Sequence, residues 1–178
     1  MIIRKLKLLN LGCETLFKNI FRPKSKKIEI ISSPVDGVLM KLESVNDPVF
    51  SQKMMGDGFA ILPEATRKSI FAPMDGKIIM LPQSSHAFGI ETSTGFELLV
   101  HLGLDTVNLN GKGFKSLVKV GQKVKRQQPI IECDFAFLEK KGFDIDVMTI
   151  FTKGLEQEIN YQKSFGDNIN SNDVLAIF

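Results

Sequence analysis

Ser33-Pro34-Val35-Asp36-Gly37 returns 39 residues later as Ala72-Pro73-Met74-Asp75-Gly76, and each copy runs into an apolar stretch, Val38-Leu39-Met40 and Ile78-Ile79-Met80. Proline fixes its own φ and glycine permits positive φ, so each copy reads as a turn feeding a strand. A second pair follows at an offset of 45. Val120-Gly121-Gln122-Lys123-Val124 through Pro129-Ile130-Ile131 is repeated as Phe165-Gly166-Asp167-Asn168-Ile169 through Val174-Leu175-Ala176. A strand–turn–strand unit used twice predicts an all-β antiparallel sandwich or barrel with internal duplication. The other short β-branched runs, Ile28–Ile31 and Ala60–Leu62, fit it. Helical spacing is weak after residue 28, apart from a short turn expected over Phe135 to Lys141.

Outward from this body the composition sets limits. The chain has 178 residues, 43% hydrophobic and 24% charged, enough for one cored domain with a tail. No apolar run approaches the ~18 residues of a membrane span. Two cysteines, Cys13 and Cys133, exclude a disulfide scaffold and a cysteine-rich zinc module. Charge is uneven. Residues 1–30 hold eight basic and two acidic residues, +6, while the whole chain is +3, so residues 31–178 are at −3. A nucleic-acid binder would carry its positive charge on the folded body, so nucleic acid is not an expected partner.

The basic tail is also amphipathic. Ile2, Leu6, Leu9, Cys13, Leu16 and Ile20 step by threes and fours along one helix face, and Ile3, Phe17 and Phe21 widen it. Pro23 stops the helix, and residues 23–27 read as a linker to a body over 28–178. Such a helix either packs on its own domain or a partner helix, or lies on an anionic membrane surface. Glu14 and Lys18 interrupt the apolar stretch, which makes it a poor signal peptide. The cysteines are then expected as reduced thiols in a cytoplasmic protein, peripheral to the membrane if the tail binds there.

His86 and His101 are the only histidines. They fall in two strand-like runs, His86–Glu91 and Phe96–His101, around the turn signal Thr92-Ser93-Thr94-Gly95. A hairpin with a two- or four-residue loop centred between Ser93 and Thr94 would oppose them directly, with Cβ atoms about 5 Å apart. A three-residue loop would shift the register by one and place them on opposite faces. An opposed pair offers two chemistries. One neutral imidazole can attack phosphorus while the other donates to the phosphoryl oxygens. Alternatively both hold zinc, with a carboxylate such as Asp105 as third ligand.

Several stretches together carry a resemblance. Ser33–Gly37, Asp47-Pro48-Val49-Phe50, Met55–Ile61, Ser85–Ile90, His101-Leu102-Gly103-Leu104-Asp105-Thr106-Val107 and Asn110–Phe114 resemble the glucose-type enzyme IIA of the bacterial phosphoenolpyruvate-dependent sugar phosphotransferase system. The likeness covers about residues 28–178 in order. It implies a duplicated hybrid motif-like fold and a histidine phosphocarrier needing no cofactor. By this likeness His101 matches the histidine phosphorylated on Nε2, and His86 the second histidine that contacts the phosphoryl group. Ser84 stands where the family usually has Thr and keeps the hydroxyl that orients the His86 ring. The Gly103 carbonyl matches the group that fixes the His101 tautomer. Asp47 and Asp105 match acidic residues near the site. Pro48, Val49, Phe50, Met54, Met55 and Leu99 match the apolar surface that docks partners.

The implied partners are the phosphocarrier HPr as donor and a cysteine of a IIB domain of a sugar permease as acceptor. The same likeness implies a regulatory mode in which the unphosphorylated form binds permeases or kinases, with zinc bridged by His86 and His101. A lysostaphin-like zinc endopeptidase would share His101 and Asp105 but also needs a His-x-His pair, which two histidines cannot supply. A biotinyl or lipoyl carrier, suggested by Met40-Lys41-Leu42, would be shorter than this chain.

Overall fold

The computed structural model describes residues 28–178. The helix expected over 1–22 and the linker over 23–27 lie outside the described residues.

Three antiparallel sheets make the sandwich. The strands in chain order are β1 (Ile30–Ser32), β2 (Gly37–Lys41), β3 (Asp57–Pro63), β4 (Arg67–Phe71), β5 (Gly76–Met80), β6 (Ala87–Glu91), β7 (Glu97–Leu102), β8 (Phe114–Ser116), β9 (Lys123–Val124), β10 (Pro129–Asp134), β11 (Val147–Lys153), β12 (Asn168–Ile169) and β13 (Val174–Ile177). The largest sheet has the order β12-β2-β3-β11-β7-β6-β5-β9; β4-β10-β8 and β1-β13 complete the body. Two short helices interrupt the strands, α1 (Pro48–Ser51) and α2 (Phe135–Lys140). The second falls where the sequence predicts a turn, with the Asp134 carboxylate accepting from the Phe137 N–H at its start.

The duplication is legible hydrogen bond by hydrogen bond. Ser32 N–H donates to the Pro73 carbonyl and Phe71 N–H donates to that of Pro34, so the two turns hold each other reciprocally. Asp36 accepts from Ser171 N–H and Asp75 from Arg126 N–H. Leu39 N–H donates to Asp167 and Ile78 N–H to Gln122; in return Gly166 donates to Leu39 and Gly121 to Ile78. Each relation repeats at the offsets of 39 and 45 read from the sequence. The recurrent aspartate is therefore a clasp between repeats, and the proline carbonyls form the seam.

Alternation along the strands divides the apolar residues into two layers. Leu98, Val100 and Leu102 of β7, with Val147 and Phe151 of β11, face the main core, closed from the other side by Ile31, Ile70, Ile131 and Phe135. Leu99 of β7, with Met148 and Ile150 of β11, faces the other way into a smaller layer with Leu42, Val45, Phe50, Ala60, Ala87 and Leu104. His101 belongs to this second face, so strand periodicity alone sends its ring away from the main core.

Candidate functional site

The smaller layer exists because the chain leaves the sheet between β2 and β3. Residues 42–56 form a 3-10 turn, then α1, and fold over the sheet. Asp47 caps α1, its carboxylate accepting from Val49 N–H at 2.7 Å, and Pro48 occupies a first-turn position where no N–H is needed. Lys53 ties this excursion down through Glu43 at 2.9 Å and Asp57 at 2.8 Å, and its ammonium pulls the Glu43 carboxyl below the usual range. The result is a short apolar rim. Met54 is 70%, Met55 42% and Val49 39% exposed, and Pro48 is exposed as well, enough to form an apolar contact surface.

Two residues grouped with that surface in the sequence reading lie beneath it instead. Phe50 and Leu99 are buried in the smaller layer. Phe50 stacks toward His101, ring centroids 5.3 Å apart and tilted by 52°. It floors the site, and burial follows from the strand alternation for Leu99 and from the α1 cap for Phe50.

The hairpin register differs from the one expected. His101 pairs with Ala87, not His86, and Glu97 with Glu91. The apex is the odd-length kind: Thr92 N–H donates to the Phe96 carbonyl, enclosing Ser93, Thr94 and Gly95, with Gly95 at φ 101°. Regular pleating would then turn the two imidazoles to opposite faces. They nevertheless meet, ring centroids 5.1 Å apart in an edge-to-face arrangement at 75°. The reason is local. His86 precedes β6, and Ser85 takes a left-handed φ of 53° after a turn closed by its N–H to the Pro82 carbonyl. That kink takes His86 out of the pleat and swings its ring to the His101 side.

Each ring is held differently. Ser84 Oγ lies 2.6 Å from His86 Nδ1. His101 Nδ1 is sealed from solvent and makes no hydrogen bond of good geometry. The Gly103 carbonyl nevertheless bears on that ring, favouring its protonated form. Gly103 needs to be glycine: its φ is +73°, and a Cβ would stand 2.7 Å from both the Asp144 carbonyl and Thr106 Cγ2. Thr106, which the sequence reading passed over, is fully buried and donates to the Leu102 carbonyl at 2.7 Å. It anchors the turn after His101. Its place directly after Asp105, which begins a helical turn, does not by itself mark it. Asp105 is exposed, with φ 56°.

The electrostatics keep both rings neutral. Burial is the main cause that pushes the His101 pKa down to about 4, with His86 adding to it; Asp47 and Asp105 pull weakly the other way. Burial lowers His86 as well. A neutral imidazole carries its proton on one ring nitrogen and keeps a lone pair on the other. As for metals, no cluster of three or more His, Cys, Asp or Glu side chains able to hold an ion occurs among the described residues. Two imidazole nitrogens fall short of the three protein ligands of a catalytic zinc site. None of the described helices is long and apolar enough to cross a membrane.

Comparisons with known proteins bear on this geometry. Residues 29–156 match the family model described as phosphoenolpyruvate-dependent sugar phosphotransferase system, EIIA 1. The chain is 39% identical over 146 residues to the PTS system glucose-specific EIIA component of Staphylococcus epidermidis, covering 80% of this chain and 86% of that one. It is 43% identical over 126 residues to a PTS system glucose-specific EIICBA component of Streptococcus pneumoniae, 71% of this chain but 17% of that longer protein. Its fold resembles the solved glucose permease IIA from Mycoplasma capricolum, with a TM-score of 0.78 and 38% identity over 85% of this chain and 96% of the other.

Proposed function

The chain belongs to the EIIA 1 family of the phosphoenolpyruvate-dependent sugar phosphotransferase system, and from that premise we propose that His101 is its phosphoryl acceptor and His86 the group that steadies the phosphoryl oxygens. The chain is a phosphotransferase component, carrying phosphoryl groups between HPr and a IIB domain in sugar uptake. What carries the assignment of residues is the pair of neutral rings 5.1 Å apart beside an exposed apolar rim.

Transfer runs in two balanced displacements. His101 Nε2 donates its lone pair to phosphorus, and the P–N bond of the phosphorylated HPr histidine breaks with its electrons returning to that ring. The Nδ1 proton of His101 stays on its ring, facing the Gly103 carbonyl. Ser84, donating its hydroxyl proton to His86 Nδ1, keeps the proton of neutral His86 on Nε2, where it donates to the phosphoryl oxygens. A cysteine thiolate of the IIB domain then attacks phosphorus and the P–Nε2 bond returns its electrons to His101. Because both bonds are reactive P–N or P–S links, each step is close to balanced. Pro48, Val49, Met54 and Met55 form the docking rim, and Asp47 and Asp105 complement a basic partner face. Those acidic groups then oppose the doubly charged phosphoryl group, which favours its departure.

The test of the main reading is incubation with phosphoenolpyruvate, enzyme I and HPr, followed by acceptor transfer to a glucose-specific IIB domain. Acid-labile, base-stable label that disappears in His101→Gln supports it. Label retained in that variant refutes the assignment.

A further inference from the structure

Two of the three residues that follow β7 are left-handed, Gly103 at φ 73° and Asp105 at φ 56°. A non-glycine residue in that region is costly and persists only where its surroundings hold it. What holds this turn is a set of bonds on two consecutive peptide groups. In the first, Leu102–Gly103, the carbonyl accepts from the Thr106 hydroxyl at 2.7 Å and the N–H donates to the Asp146 carbonyl at 2.8 Å. In the second, Gly103–Leu104, the N–H donates to the Asp144 carbonyl at 3.0 Å. The remaining group is the Gly103 carbonyl, which bears on the His101 ring. Peptide groups are planar, so bonds at their edges orient them whole. Three of the four polar groups are tied to the body, and together they aim the fourth.

Of the three ties, Asp144 and Asp146 act through backbone carbonyls that any residue there would supply. Thr106 acts through its side chain. That side chain is fully buried, and its Cγ2 lies 2.7 Å from where a Cβ on Gly103 would stand, so the methyl rests against the residue whose carbonyl is being aimed. The demand for aim is high. His101 Nδ1 is sealed from solvent and has no hydrogen bond of good geometry, so no water or second acceptor takes over if the carbonyl turns away. In a neutral imidazole the hydrogen bond made at one nitrogen decides which nitrogen keeps the proton.

We infer that Thr106 is a positioning residue for phosphoryl transfer: through the Leu102–Gly103 peptide it aims the Gly103 carbonyl at His101 Nδ1, which holds the ring proton there and keeps Nε2 for phosphorus. The inference deepens the assignment of His101 as acceptor and rests on it. No proton moves through Thr106. Its hydroxyl stays bonded to the Leu102 carbonyl throughout, and its effect is on the tautomer of the ring before the phosphoryl group arrives.

Two comparisons separate the hydroxyl from the bulk of the side chain. Wild type and Thr106→Val differ by a hydroxyl against a methyl. Thr106→Ser and Thr106→Ala both lack the methyl and differ in the hydroxyl alone, so this pair decides the matter if the valine variant does not fold. Nitrogen-15 spectra of the unphosphorylated, histidine-labelled full chain read the His101 tautomer, and single-turnover labelling by phosphorylated HPr reads the rate. Wild type and Thr106→Ser should show one tautomer, protonated on Nδ1. Thr106→Val and Thr106→Ala should show averaged shifts from both tautomers and accept the phosphoryl group about tenfold more slowly. A single Nδ1-protonated tautomer in the valine and alanine variants overturns the inference. So does a serine variant that behaves like the alanine one, since the methyl and not the hydroxyl then matters. The tautomer is read without any transfer step, so this failure is distinct from label retained in His101→Gln, which removes the acceptor assignment itself.

Discussion

The two repeats share a frame and differ in what they let out of it. In the first, the chain leaves β2 for residues 42–56, folds a capped helix and shows Val49, Met54 and Met55 to solvent. In the second, the chain leaves β5 for residues 81–86, kinks at Ser85 and delivers His86. The clasping aspartates, the seam carbonyls and the strand pairings match across the repeats; the excursions match in nothing. Duplication thus builds a rigid platform, and the site is assembled where the copies diverge, one providing an apolar rim and the other a ring for His101 to meet.

Breaking the second excursion should have the largest effect. His86→Gln leaves His101 able to accept the phosphoryl group from HPr but slows onward transfer to the IIB domain about 10²- to 10⁴-fold, read by single-turnover kinetics. Normal onward transfer would remove His86 from the mechanism. Next comes the cost of keeping His101 neutral. Its native pKa of about 4 lies below the unfolded value of 6.5, so between those pH values the unfolded chain binds a proton that the native state refuses. Stability therefore falls as pH drops from about 6.5 to 4, by about 3 kcal/mol from this group, and levels off below. Urea titrations should show that loss in the wild type and a smaller one in His101→Gln.

The frame itself is tested by its clasps. Asp36→Ala and Asp75→Ala each remove a carboxylate that accepts a backbone N–H across the repeats, at a cost of about 1–3 kcal/mol. The Asp75 bridge to Lys125 is solvent-exposed and adds little. Urea titrations that show no loss in either variant would mean that the aspartates do not clasp the repeats. The smallest effect runs the other way. Thr149 is fully buried in β11 and its hydroxyl has no hydrogen-bond partner. Thr149→Val should raise stability by about 1 kcal/mol in urea, with phosphoryl transfer unchanged.

The frame was readable because turns demand particular residues. Pro34 and Pro73 with Asp-Gly after them left a repeat at fixed offset, and the repeat implied an antiparallel sandwich. The site was readable in composition more than in geometry. The expected direct opposition of His86 and His101 was replaced by an odd register, and the rings meet through a left-handed serine. Serine carries no sequence mark for positive φ, so the kink at Ser85 was invisible. Likewise Phe50 and Leu99 are as apolar as Val49 and Met54, and only the α1 cap and the β7 pleat decide that the first two go inside. Thr106 gave no signal because its hydroxyl acts on a backbone carbonyl set by the fold.

The central claim is that His101 takes the phosphoryl group on the nitrogen turned away from Gly103. Nitrogen-15 and phosphorus-31 NMR of histidine-labelled protein, phosphorylated through HPr, reads this directly. The account predicts a single phosphohistidine at His101, bonded through Nε2, with Nδ1 still protonated. A phosphoryl group on Nδ1 of His101, or on His86, would contradict it.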